Sequence, residues 1–390
     1  MKILIAAGIF PPETGGPATY TSMLARELTR RGHEVRVLTY SDTESRIMNQ
    51  ELREKFPVIR IARGRLKIIR YWRYFRAVKR YGKEADIIYA QDTVSAGYPA
   101  SLAAKVLGKP YVVKVTGDYS WERAYAEGLT KLATDDFQKL LVYPKKISKI
   151  RDVQIRVCKD ARFVITPAEY LKSIVAGWGV KPERIRVVYN SIKMTEMPDR
   201  VELRRRLNLE GTVLVSAGRL VKLRRFDRLI ELMPEIVKKV PNAKLVIVGG
   251  GPEYASLMQM VAQRGLTSAV KFTGKIDPLN VREYVAASDL VIVNSIQEGL
   301  SHLILEALAC GTPVVAAAVG GTPEIIRHDE TGLLFPPNDE NKLLASIFRV
   351  LSDERLRQRL QTAGKALIET KFSIAIMVDE TLNILERAKS

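Results

Sequence analysis

Residues 289–315 constrain the fold of this chain more than any other stretch. They read Asp-Leu-Val-Ile-Val-Asn-Ser-Ile-Gln-Glu-Gly-Leu-Ser-His-Leu-Ile-Leu-Glu-Ala-Leu-Ala-Cys-Gly-Thr-Pro-Val-Val. The run from Leu290 to Val293 is short, apolar and β-branched, the pattern of a strand buried on both faces. A polar loop with glycine follows. Ser301 then stands as an N-cap, Leu303, Ala307 and Cys310 share one helical stripe, and Gly311 and Pro313 stop the helix. Glu298 is therefore expected in a loop at the carboxyl end of a parallel strand, with the free N–H groups of a helix beside it. Ligands bind at that edge of open α/β sheets, and a helix N-terminus there suits phosphate.

Glu298 and Glu306 lie eight residues apart, a little over two helical turns, so both reach one crevice only if the first precedes the helix. Two glutamates at that spacing alone fit a capped helix with solvated acids better than a site. The combination of Glu298-Gly299-Leu300, Glu306-Ala307 and Ala309-Cys310-Gly311-Thr312-Pro313-Val314 is more specific. It resembles the signature of the retaining nucleotide-sugar glycosyltransferases of family four, the sucrose-phosphate-synthase and phosphatidylinositol-mannosyltransferase type.

At 390 residues the chain exceeds one ordinary core, and two domains are the natural division. The two cysteines, Cys158 and Cys310, stand far apart, and three histidines with no Cys-x-x-Cys make a zinc site or disulfide framework a poor fit. No apolar run approaches the roughly 20 residues of a spanning helix. These features place the chain in the cytoplasm, or peripherally on the inner face of the cell membrane. Net charge is +19, and residues 1–200 hold 37 Lys or Arg against 21 Asp or Glu. A partner that attracts positive charge therefore meets the N-terminal half.

Residues 2–8 read as a first strand, followed by the Gly15-Gly16 loop and an amphipathic helix; backbone without a Cβ lets an anion approach closely. Residues 60–83 carry ten bases and no acid, with Ile68, Tyr71, Trp72, Phe75 and Val78 at helical spacing. The segment reads as one basic amphipathic helix, and three readings stay open. Its seam packs on the sheet, its residues 63–83 meet an anionic membrane surface, or it touches nucleic acid, for which no recognisable module is present. A strand over 110–118 leads to Asp118 and Tyr119. Relatives carry a histidine there, which this chain lacks, and Asp118 stands either in a polar catalytic role or as a helix cap. Asn190 closes the last strand of the first half, at the position of the family's hinge turn, and residues 193–199 serve as linker.

The second half opens with Gly218-Arg219 and, five residues on, Arg224. The resemblance puts an arginine and a lysine at these positions on the donor diphosphate; here Arg224 replaces the lysine and Arg225 the usual glycine. Gly249 and Gly251 match the family's Gly-x-Gly-Pro turn, and Lys275 and Ile276 the strand end whose main chain meets the nucleobase.

The resemblance implies a GT-B architecture, α/β, with two doubly wound Rossmann-like domains facing across a cleft. Its expected divisions are 1–194 on the acceptor side, 200–370 for the nucleotide sugar, and 371–390 as a helix crossing back. It further implies retaining, metal-independent transfer from a UDP-, GDP- or ADP-sugar to a glycan or lipid-linked acceptor, with no cofactor. Glu298, Arg219, Arg224 and Asp118 are the catalytic candidates, and Gly15, Gly16, Gly249, Gly251, Lys275, Ile276, Gly299, Leu300, Ser301 and Glu306 the donor contacts. Asn190 and Tyr119 lie toward the acceptor. An epimerase of the same fold and a non-catalytic nucleotide-sugar-binding subunit remain the alternatives.

Overall fold

The computed structural model describes residues 1–13, 15–42, 54–192 and 197–390. It divides into two units: 1–190 with 375–390, and 191–374. Part of the expected linker, 193–196, lies outside the described residues.

Each unit is a parallel sheet covered by helices. The first contains β1 (Lys2–Ala6), β2 (Glu34–Ser41), β3 (Val58–Ala62), β4 (Ile87–Ala90), β5 (Tyr111–Lys114), β6 (Phe163–Thr166) and β7 (Ile185–Val187), in the order β3-β2-β1-β4-β5-β6-β7. The second contains β8 (Thr212–Ala217), β9 (Ala243–Val248), β10 (Val270–Gly274), β11 (Leu290–Val293), β12 (Val314–Ala317) and β13 (Leu333–Phe335), in the order β10-β9-β8-β11-β12-β13. All residues of β4, β5, β11 and β12 are buried, which explains their near-continuous apolar sequences. Strand order reverses between β1 and β4 in one unit and between β8 and β11 in the other. At such a reversal neighbouring crossovers leave in opposite directions and open a crevice above the strand ends.

Three sequence expectations need correction. Residues 60–83 are not one helix: Val58-Ile59-Arg60-Ile61-Ala62 pairs with β2, where alternating β-branched residues suit a strand, and the helix spans Lys67–Gly82. Its buried residues are Tyr74, Val78 and Gly82; of the predicted seam, Val78 is buried and Phe75 packs against the core, whereas Ile68 is 84% and Trp72 54% exposed, so the seam faces inward only toward its C-terminal end. In the helix His302–Cys310 the buried stripe is Ile304, Leu305, Ala307 and Leu308, and Leu303 and Cys310 are only partly covered. Among the described residues no helix is long and apolar enough to cross a membrane.

Candidate functional site

The loops after β8 and β11 meet at the reversal point of the second unit. The Ile296 amide donates to the Leu223 carbonyl at 3.0 Å, which joins the two loops directly. On this base Glu298, 5% exposed, is gripped from two sides. The Ser295 hydroxyl donates to Glu298 Oε1 at 2.7 Å, and the Arg224 guanidinium donates to the same oxygen and, at 3.2 Å, to Ser295 Oγ. Arg224 keeps about a third of its side chain in solvent, so one cation serves a buried carboxylate while presenting a face outward. Arg219 is exposed and forms no ion pair with another described residue.

A third loop fixes the main chain of Glu298. The Gly321 amide donates to the Glu298 carbonyl at 3.0 Å, and Gly320 lies so close that a Cβ there would stand 1.9 Å from that oxygen. Gly320 also has φ +53°, a conformation that favours glycine. Ser301 occupies the N-cap position of His302–Cys310 with extended backbone, yet its side chain makes no capping bond. The first amides of that helix, beside Gly299 and Leu300, therefore lack an intrahelical partner.

Glu306 lies further along the same helix, with 16% of its side chain exposed and Arg282 Nε 3.6 Å away. Burial pushes its carboxyl up to about 7, and Arg282 opposes the shift without cancelling it. Gly249 and Gly251 hold loops together: a Cβ at either would stand 2.1 Å from the Gly218 carbonyl or 2.4 Å from that of Leu220. Their main chain thus packs against the backbone on either side of Arg219. Lys275 is exposed and Ile276 half-buried beyond β10. Arg225 adopts φ +52°, a conformation that favours glycine.

In the first unit, Gly15 precedes and Gly16 begins the helix Gly16–Arg30 after β1. Asp118 resolves as the cap, not the catalytic group. Its carboxylate accepts hydrogen bonds from the amides of Ser120 (2.9 Å) and Trp121 (3.2 Å), the Ser120 hydroxyl (2.6 Å), and the side-chain amides of Gln154 (2.7 Å) and Gln138 (2.6 Å). Four of these donors meet Oδ1 and Gln138 meets Oδ2, with Arg151 3.7 Å from Oδ2, so the fully buried carboxylate is committed to holding its own loop together. Tyr119 is 43% exposed. Asn190 is buried and accepts a 2.8 Å bond from Lys114, a fully buried lysine whose ammonium burial disfavours. Sequence reasoning missed Lys114, Ser295, Arg282 and the grip of Gly320 on Glu298; the Gly320-Gly321 doublet was the visible signal for the last. Among the described residues no group of His, Cys, Asp or Glu is placed to hold a metal ion.

Comparison with known proteins agrees with this geometry. A profile described as "Glycosyltransferase Family 4" matches residues 14–196, and one described as "Glycosyl transferases group 1" matches 199–367. An uncharacterized glycosyltransferase of Methanocaldococcus jannaschii is 28% identical over all of this chain and 98% of its own length. The lipopolysaccharide core biosynthesis glycosyltransferase LpsD of Rhizobium meliloti is 30% identical over 63% of this chain and 67% of its own. Among solved structures, Anabaena HepE in complex with UDP and glucose superposes with a TM-score of 0.81 over 99% of this chain and 100% of its own, at 22% identity. Sucrose-phosphate synthase of Thermosynechococcus elongatus gives 0.80 over 99% of each, at 20% identity. Two parallel-sheet units of this construction are the GT-B fold, and with one profile matching each unit, the chain belongs to the group 1 glycosyl transferases of the family-four type.

Proposed function

We propose that the chain transfers a glycosyl residue from a nucleotide-diphosphate sugar to an acceptor hydroxyl, with retention at the anomeric carbon and without a metal ion. The observation that carries this reading is the Glu298–Ser295–Arg224 triangle at the β8/β11 reversal. Arg224 is already held by a carboxylate that a bound sugar would engage, so donor binding exchanges one anionic partner of the guanidinium for another. Arg219, Arg224 and the first amides of His302–Cys310 would seat the diphosphate, Glu298 the sugar hydroxyls, and Glu306 the ribose. The bond from the anomeric carbon to the β-phosphate oxygen breaks, its electron pair staying on that oxygen. The acceptor oxygen bonds to the anomeric carbon from the same face, and its proton passes to the departing phosphate. Prearranged cations and amide dipoles stabilise the growing phosphate charge at no cost of reorganisation, and losing one such donor costs roughly 3–4 kcal/mol of barrier. The structural neighbour HepE was captured with UDP-glucose, which supports a nucleotide-sugar donor here.

The test is a panel of UDP-, GDP- and ADP-sugars assayed for transfer and hydrolysis with wild type, Glu298→Gln and Arg219→Ala. We expect one donor class to be turned over and both variants to lose about 100-fold or more while remaining folded. Near-normal rates in both variants would refute these assignments. Release of an altered free sugar without an acceptor would favour an epimerase instead.

A second reading concerns where the acceptor is met. Leu66, Ile68, Ile69 and Trp72 are exposed on the helix that also presents Lys67, Arg73, Arg76 and Lys79 to solvent, and Arg76 covers the Trp72 ring at 4.7 Å. Apolar residues interleaved with bases suit the interface of an anionic bilayer, which supports a lipid-linked acceptor.

A further inference from the structure

One arginine in the first unit is built as if for an anion that the protein does not supply. Arg70 lies on the half-buried side of the helix Lys67–Gly82, one turn before the buried Tyr74. Its guanidinium carbon lies 5.7 Å from the ring centre of Tyr40 and 5.4 Å from that of Tyr71, so two aromatic faces hold it. Its Nε is buried and, among the described residues, has no hydrogen-bond partner, while the rest of the guanidinium is within hydrogen-bond reach of the Tyr71 hydroxyl. Among the described residues no carboxylate lies within ion-pair distance of it. The neighbouring acids are committed elsewhere. Glu13 and Asp42 each pair with Arg63 at 2.9 Å. Asp92 accepts from the amides of Val94 and Ala96 and the Ser95 hydroxyl.

The position is as informative as the pairing. Tyr40 ends β2, and its hydroxyl donates to the Ser95 carbonyl in the loop after β4 at 2.9 Å. Arg63, whose guanidinium lies 6.0 Å from the other reach of the same Tyr40 ring, approaches the carbonyl of Gly8 after β1. Arg60 donates to the Pro11 carbonyl in that same loop. Three arginines thus converge on the carboxyl ends of β1, β2 and β4, the crevice where strand order reverses in this unit, and only Arg63 is neutralised. A buried N–H without an acceptor costs stability. A rigid guanidinium clamped by rings is also preorganised for bidentate recognition of a carboxylate or phosphate.

We infer that Arg70, clamped between Tyr40 and Tyr71, seats an anionic group, phosphate or carboxylate, carried by the acceptor. The inference rests on the glycosyl-transfer reading for the word acceptor, and on the first unit alone for the anion site. It narrows the substrate to hydroxyl compounds that bear such a group.

The test uses the full chain with arginine side chains labelled with nitrogen-15, saturated with UDP, and three probes: glucose 6-phosphate, glucose and inorganic phosphate. Glucose 6-phosphate is expected to shift the Arg70 Nε–H resonance and glucose to leave it unchanged. Arg70→Gln should weaken glucose 6-phosphate binding about tenfold or more and Arg70→Lys less, because the charge remains while the fork is lost. UDP affinity should be unchanged in both, which reports the fold of the variants. Equal binding of glucose 6-phosphate to wild type and Arg70→Gln, or none to wild type, overturns the site. A response to inorganic phosphate with none to glucose 6-phosphate assigns the seat to free phosphate and overturns the acceptor role. Should the wild type bind no nucleotide while Arg70 still responds to glucose 6-phosphate, glycosyl transfer fails and the anion seat stands.

Discussion

Replacing Gly320 by alanine separates the stability of the second unit from the placement of its reacting groups. A Cβ at Gly320 would stand 1.9 Å from the Glu298 carbonyl oxygen, whereas contacts below 3.0 Å are essentially never tolerated, so the Glu298 loop must yield by about 1 Å. Alanine in the left-handed region costs about 1–2 kcal/mol, offset by about 0.4–1 kcal/mol because the unfolded chain also loses freedom. The net destabilisation of about 1 kcal/mol should lower the melting temperature by roughly 2–4 °C. A 1 Å error in a catalytic group costs on the order of 100-fold in rate. Gly311→Ala is the control: its φ is +69°, but the atoms its Cβ meets belong to the flexible end of Lys365. Both variants are purified, melted by calorimetry and assayed for turnover of the donor found in the panel. We expect similar melting shifts, with turnover collapsing only for Gly320→Ala. Equal activities in the two variants would refute the claim that the 320–321 loop sets the position of Glu298.

Asp118→Asn should act on stability and not on chemistry. Gln138 cannot turn its amide to suit the new group, because its oxygen accepts from Arg151 and the Trp178 indole. The asparagine amide facing Gln138 therefore leaves an unmet buried donor worth about 1–3 kcal/mol, and thermal melts should fall while kcat stays within a few-fold; a 100-fold loss of kcat in a stable variant would restore Asp118 as a catalytic group. Glu306, with its carboxyl raised to about 7, is near half protonated at neutral pH. Hydrogen bonds from a ribose diol favour its charged form, so nucleotide binding should release roughly half a proton at pH 7 and almost none at pH 9. Calorimetry in two buffers of different ionisation enthalpy measures this, and a release that persists in Glu306→Gln would exclude Glu306 as its source. For the membrane reading, wild type should float with anionic liposomes, and Arg73→Glu with Arg76→Glu should lose at least tenfold of that binding at roughly 1 kcal/mol per charge. Wild type that stays with the soluble fraction would end that reading.

The parts of the fold that were legible in advance are those specified by local chemistry. Leu290 to Val293, with a glycine loop after it and Gly311 closing the helix behind, announces a buried parallel strand and its crossover, because propensity and turn chemistry point the same way. What stayed hidden depends on neighbours distant in the chain. Arg224 reaches Glu298 across 74 residues, and Lys114 reaches Asn190 across 76. No periodicity encodes either meeting. The basic segment misled for a related reason. Its charges are so dense that Arg60 reads as helix, whereas pairing with β2 claims it for a strand. On the helix proper, Tyr74 takes the inward place because its hydroxyl can satisfy the Ala7 and Leu38 carbonyls at 3.1 and 2.9 Å, which Trp72 cannot do. Asp118 was ambiguous in sequence because a cap and a general base call for the same side chain; only its count of donors decides.

The last helix, Ile374–Lys389, belongs to the unit that the first 190 residues build. It buries Met377, Val378, Ile384 and Leu385, pairs Asp379 with Arg31, and brings Lys389 to 3.3 Å from Asp86. During synthesis, therefore, residues 1–190 must wait for residues 375–390, made well after them, with an uncovered apolar flank throughout the interval. Loss of residues 374–389 injures a unit built almost 200 residues earlier in the chain, and a nascent chain stalled before them presents a nearly finished first unit as a substrate for chaperones.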